Sequence, residues 1–155
     1  MARKSDVRKL EYDEKAMKLG IEFYRQSEIP LDLLYHLMKA KRLRGFSAIM
    51  IRSSMAEFGD FLQRQKRKTD LLHPISPEEG IYALLCQETQ VDGGYYFIRR
   101  LLGEMGEEAD GVCAAIVGVE STRYPIRDLM FIVLDSFIRA MDPENGEKIV
   151  HRTVK

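Results

Sequence analysis

The sequence predicts an α+β fold, a sandwich whose central mixed sheet contains a hairpin and is covered by helices. Three observations carry that expectation. Continuous apolar runs at 46–51, 81–86 and 112–119 have the length of buried strands, while 31–38, 92–106 and 125–141 carry apolar residues at helical spacing. Pro74, Ser76, Pro77 and Gly80 mark a tight reversal between two apolar stretches. Long helices between strands require crossover connections, so parallel and antiparallel neighbours must mix. A doubly wound parallel sheet would need more strand and helix alternation and no central hairpin.

Composition narrows the function classes. The 155 residues, 45% hydrophobic and 31% charged, suffice for one domain with a core plus a short appendage. Lys+Arg and Asp+Glu number 24 each, so no global field draws the chain to nucleic acid or anionic lipid. Cys86 and Cys113 lie inside apolar runs and read as small core hydrophobes, with no disulfide framework and no metal spacing. His36, His73 and His151 form no metal-ligand pattern either, so neither a metal nor a cofactor is expected. No apolar run approaches the roughly 20 residues of a membrane span. The N-terminus lacks a signal-peptide core, and the expected location is cytoplasmic.

Taken in order, the elements begin with an amphipathic helix over 5–26. Val7, Leu10, Met17, Ile21 and Tyr24 follow a seven-residue repeat that Glu14 interrupts. Such a helix serves equally as a stalk that dimerises or as a helix laid on its own domain. A break is expected at 27–30, where Pro30 would open a new helix carrying Leu31, Leu34, Tyr35 and Met38. The domain boundary is placed there, with 1–27 as the N-terminal helix and 28–155 as the domain. A basic run at 39–44 closes this helix near Gly45, and 46–51 reads as a buried strand. Residues 54–68 read as a helix with Met55, Phe58, Phe61 and Leu62 on its apolar side and a basic tail. Leu71, Leu72 and the run 81–86 form the hairpin, its first strand kinked or at an edge because of Pro74. Asp92 is expected to cap a helix through Gly106 with Tyr95, Ile98, Leu102 and Met105 on one face. The strand 112–119, the helix 125–141 and a short strand in 146–150 complete the chain.

Several strings resemble the GGDEF domains of diguanylate cyclases, which share the nucleotide-cyclase core. Tyr82-Ala83-Leu84-Leu85-Cys86-Gln87-Glu88-Thr89 is similar to the run that follows that family's motif. Ile116-Val117-Gly118-Val119 resembles a family strand, and Ile138-Arg139-Ala140-Met141 with Gly146 and Val150 resembles its ending. The resemblance extends over residues 28–150 and sets Glu78-Glu79-Gly80-Ile81-Tyr82 in place of Gly-Gly-Asp-Glu-Phe. Two glutamates then stand where glycines would let backbone approach a nucleotide, and Ile81 stands at the metal-binding acid. Arg52-Ser53-Ser54 occupy the place of the second metal carboxylate, and Met141 that of a phosphate-binding Lys. Phosphoryl transfer rests on metal and cationic stabilisation of developing charge. The resemblance therefore implies a degenerate domain that is not an enzyme, and Glu78 and Glu79 read on their own as part of an ordinary solvated turn.

The same resemblance implies a ligand site at Arg67-x-x-Asp70, a pair that in such domains binds the product, cyclic di-GMP. The chemistry suits the residues: an Arg fork can donate to guanine O6 and N7, and a carboxylate can accept from guanine N1 and N2. A further Arg comes from the helix after the motif strand, where Arg99 and Arg100 stand. Adjacent helical positions point about 100° apart, so one of them faces the ligand, and Arg100 fits the spacing better. The span 71–77 is longer than the family's, which demands a bulge or a residue added to each strand. Read without the resemblance, Arg67 belongs to a basic, solvated helix end and Asp70 starts a strand. Two functions follow as expectations: a cyclic di-GMP receptor using Arg67, Asp70 and Arg100 or Arg99, or a ligand-free module that binds a protein partner or a second copy through the N-terminal helix.

Overall fold

The computed structural model describes residues 2–155, with side chains described from Glu14 onward. The elements run α1 (Ala2–Lys39), β1 (Phe46–Arg52), α2 (Phe58–Gln65), β2 (Leu71–Ser76), β3 (Ile81–Gln87), α3 (Val91–Met105), β4 (Cys113–Val119), α4 (Ile126–Met141) and β5 (Ile149–Val154). The five strands form one sheet in the order β2-β3-β1-β4-β5. β1 is antiparallel to β3 and to β4, β2 is antiparallel to β3, and β4 and β5 are parallel. The sheet is thus mixed and holds the hairpin, as the apolar runs and turn residues require.

Residues 46–51 of β1 are all buried because both faces of the strand are covered. The pleat sends Ala48 and Met50 toward α1 and α4, together with Ala83, Leu85, Ala115 and Val117. Ile49 and Ile51 point the other way, toward α2 and α3, with Leu84, Ala114 and Ile116. Among the described residues no helix is long and apolar enough to cross a membrane.

The expected break at 27–30 is absent, and α1 continues through Pro30. Proline there removes one backbone hydrogen bond and crowds the preceding turn, at a cost of about 3 kcal/mol. Leu19, Phe23, Ser27, Leu31 and Leu34 nevertheless form one buried stripe that crosses the proline. Each buried Leu or Phe contributes roughly 1.5–3 kcal/mol, so packing outweighs the local penalty. The residue at which the domain boundary was placed therefore lies within an uninterrupted helix. Of the two expected uses of this helix, it lies on its own domain, yet it does so through the face opposite the seven-residue repeat. Met17, Ile21 and Tyr24 face outward, and the side chains of Val7 and Leu10 lie outside the described residues.

Three further elements differ from expectation. α2 is shorter than 54–68: Ser53 Oγ accepts the Met55 N–H at 3.0 Å, and Glu57 adopts a left-handed φ of 57° before the helix begins. At its other end the Arg67 N–H donates to Asp70 Oδ2 at 2.9 Å, which draws the chain out of the helical path. In α3 the buried face is Gly94, Ile98, Leu101 and Met105, rotated from the expected one, and Gln90 rather than Asp92 is the N-cap. Gly94 sets that rotation, since a Cβ there would come within 2.7 Å of Ile116 Cγ2. β5 begins and ends later than 146–150 because it takes its register from β4, with Ile149 beside Ala114 and Val154 beside Val119.

His73 sits on edge strand β2, its ring turned to the α1 side, and its Nε2 is buried with no partner among the described residues. Burial lowers its pKa from the ordinary 6.5. The unfolded chain then takes up a proton at higher pH than the folded chain. Stability contributed by the neutral ring is complete above the unfolded value and is lost as pH falls through the lowered one. Urea unfolding across neutral to mildly acidic pH should show this decline, and His73→Leu should flatten it; equal slopes in both proteins would remove His73 as the cause.

Candidate functional site

At the hairpin tip, Pro77–Glu79 form a single turn of 3₁₀ helix and Gly80 follows at φ 71°. A Cβ at Gly80 would lie 1.9 Å from Ser53 O, so the tip's one glycine serves the close approach of two backbones. Ile81 is buried and pairs with Arg52. Between β2 and β3 the register shifts at Pro74/Ser76, so Ile75 forms a bulge, one of the two ways in which the long 71–77 span was expected to be absorbed.

Of the residues that the resemblance sets at nucleotide and metal positions, four lie together. Arg52, Glu79, Ile81 and Met141 line one recess, and Lys15 and Leu19 of α1 lie against it. Its volume is about 60 Å³, against roughly 300–1,000 Å³ for ligand pockets. Among the described residues, no three His, Cys, Asp or Glu side chains converge as metal ligands.

The Arg67 and Asp70 side chains form a clamp in the loop between α2 and β2. Arg67 Nη2 donates to Asp70 Oδ1 at 3.0 Å, and Nε donates to the two carboxylate oxygens at 3.2 and 3.3 Å. Nη2 also reaches Gln87 O at 2.8 Å and Thr89 Oγ1 at 2.7 Å. The Arg67 side chain remains 53% exposed whereas that of Asp70 is 2% exposed. Asp70 is thus engaged with Arg67, and the exposed edge of the pair is the guanidinium. Hydrogen bonding to Asp70 raises the Arg67 pKa above its ordinary range. Beside the clamp, burial and then the Asp70 charge push the Cys86 thiol up to about 12. Cys86 is thus an unreactive core thiol, like the buried Cys113.

Arg100 comes to the same place from α3. Its Nη2 donates to Gln65 O at 3.0 Å, and its guanidinium lies over the Phe97 ring at 5.3 Å. Arg67, Asp70, Thr89, Tyr96, Phe97 and Arg100 line one cleft of about 410 Å³. Arg99 is not part of its lining. Glu88 and Asp92 also border the cleft, and neither these acids nor Tyr96 and Phe97 were anticipated. One signal for them was present: Asp92, Tyr96 and Arg100 recur every four residues and share a helix face.

No protein-family model matches the sequence, and neither does any curated protein. Among solved structures the chain is similar to the diguanylate cyclase SiaD from Pseudomonas aeruginosa, solved in complex with its activator SiaC. The match has a TM-score of 0.50 and 14% identity over 97% of this chain and 78% of that one. At that identity the likeness is one of fold: the five-stranded mixed sheet with flanking helices and an N-terminal helix is the GGDEF-like α+β architecture. Function at the clamp is a separate matter, but its structural weight can be measured. Asp70→Ala should lower stability by about 2 kcal/mol in urea unfolding, the order of a hydrogen-bonded charge; an unchanged midpoint would mean that the clamp does not hold this loop.

Proposed function

We propose that this chain is a GGDEF-fold binding module that makes no nucleotide and takes cyclic di-GMP into the cleft between the α2–β2 loop and α3. The observation that carries the reading is the convergence of Arg67 and Arg100 on one cleft, from separate elements. Arg67 is held by Asp70 in a fixed pose, which lowers the entropy lost on binding. Its outer edge and Arg100 offer donors to guanine O6 and N7 or to phosphate. Tyr96 is 72% exposed, and with Phe97 it supplies aromatic surface on which a base can stack. The Glu88 and Asp92 carboxylates supply the acceptors for guanine N1 and N2 that Asp70, being occupied, does not.

Support for the absence of catalysis comes from the hairpin tip. Ile81 offers no metal ligand, and a recess of about 60 Å³ does not admit a nucleoside triphosphate. The neighbour's complex with an activator is a precedent for a protein partner on this fold.

Titration with cyclic di-GMP should raise the unfolding temperature, by the equivalent of about 2.7 kcal/mol at 100 times the dissociation constant. Arg100→Ala should weaken binding by roughly tenfold or more, since a hydrogen bond to a charged group contributes about 1.5–3 kcal/mol. The reading fails if calorimetry detects no binding up to millimolar ligand or if Arg100→Ala binds as the parent does. Incubation with GTP and magnesium should yield no cyclic di-GMP, and measurable product by chromatography would refute the non-catalytic part.

A further inference from the structure

The two edges of the sheet are finished differently. At β2, Pro74 carries no N–H, the register shifts across Ile75, and Gln26 Nε2 of α1 covers the Pro74 carbonyl at 2.6 Å. Such features keep an edge strand from pairing with another strand. β5 has none of them. It is six residues long, contains no proline, and holds its register with β4 from Ile149 to Val154 without a shift.

The pairing with β4 decides which backbone groups of β5 are left over. The Ala114 N–H donates to Lys148 O at 2.9 Å, and the Glu120 N–H donates to Val154 O at 2.8 Å. In a parallel ladder these bonds recur at every second residue, so Lys148, Val150, Arg152 and Val154 turn their backbone groups to β4. Ile149, His151 and Thr153 turn theirs to the open side, where no hydrogen bond reaches them among the described residues. The side chains beside this edge are exposed as well. On the α3 face His151 meets the Tyr95 ring edge-on at 5.8 Å, and Tyr95 is itself 37% exposed. On the α4 face Arg152 lies 4.0 Å from Asp135.

This strand is complementary to itself in one antiparallel register. With His151 opposite His151 of a second copy, Ile149 falls opposite the second copy's Thr153, and each outward pair exchanges two hydrogen bonds. Val150 then stands opposite the second copy's Arg152, and Glu147 stands opposite its Lys155. Sliding one strand by two residues either way sets Lys148 against Arg152, or Arg152 against its own counterpart, and like charges directly opposite are destabilising. In the first register the two Arg152 side chains are only diagonal neighbours, each drawn to the Asp135 of its own copy. Charge therefore selects the register centred on His151.

We propose that β5 is a dimerisation edge, pairing antiparallel with β5 of a second copy about a two-fold axis at His151 and joining two five-stranded sheets into one. The interface is isologous, and its axis stands perpendicular to the sheet. Each Tyr95 and His151 pair is brought against its counterpart and shielded from water. Both arginine clefts open on one face of the joined sheet. On the other face lies, in each copy, the open apolar groove of about 590 Å³ that Met17, Ile21, Tyr24 and Phe131 line between α1 and α4. The pairing does not depend on what the cleft binds.

Sedimentation equilibrium of the full chain should give a dimer mass at micromolar concentration. Thr153→Pro removes an outward N–H and leaves the ladder to β4 intact, so it should give a monomer with the parent's circular dichroism spectrum and urea midpoint. The register is read by charge at low salt. Glu147→Lys and Lys155→Glu should each weaken the dimer by about threefold to tenfold, and the double variant should recover the parent's dissociation constant. The two positions are separated by the length of β5, about 17 Å, so they do not meet within one chain. A monomer at every concentration, a dimer that Thr153→Pro leaves intact, or a double variant no tighter than the single ones overturns the proposal.

Discussion

The burial of β1 on both faces and both edges is the constraint on which the rest of the molecule depends. A strand flanked by β3 and β4 and buried at every position but its last leaves no face open to water. Helices must cover each side, and the alternation within FSAIMI divides them: α1 and α4 follow Ala48 and Met50, α2 and α3 follow Ile49 and Ile51. That division also sorts the two largest surface hollows described above. The arginine cleft opens on the α2 and α3 side, while the apolar groove lies on the outer surface of the α1 and α4 layer.

The same layering accounts for the path of α1. An element that must span the sheet face and meet α4 is fixed by its buried stripe, not by its weakest turn. Pro30 therefore sits inside the helix, and the turn it disturbs gains a different anchor, Gln26 Nε2 donating to Pro74 O at 2.6 Å. The helix passes Arg52, Glu79 and Ile81 on its way, so the covering element also closes the recess in which the resemblance would place a nucleotide.

The sequence made the architecture legible where apolar period and turn chemistry agreed. The order of elements along the chain, the hairpin and the mixed sheet followed from the runs at 46–51, 81–86 and 112–119, while the excess length of 71–77 left a bulge and longer strands as alternatives, of which the bulge at Ile75 is the outcome. Local rules failed where tertiary packing decided between near-equal choices. Pro30 is a strong local stop, yet the stripe from Leu19 to Leu34 is a nonlocal quantity that no window around the proline contains. In α3 the spacing of Tyr95, Ile98, Leu102 and Met105 is as helical as that of Gly94, Ile98, Leu101 and Met105. Only the sheet, pressing Ile116 against Gly94, selects the second.

At the cleft, the convergence of the side chains was legible but their hydrogen bonding was not. Arg67, Asp70 and Arg100 do converge, because an Arg-x-x-Asp pair at a helix end and an arginine one helix later are placed by the hairpin between them. What sequence cannot state is which partner a charge prefers. A carboxylate 2% exposed beside a guanidinium 53% exposed lowers its free energy by accepting mainly from that neighbour. The consequence is directional: Asp70 supplies rigidity and Arg67 supplies the donor surface. Under the proposed reading, acceptors for an incoming base must then come from groups that water still reaches, and Glu88 and Asp92 are the carboxylates at the cleft that meet this condition.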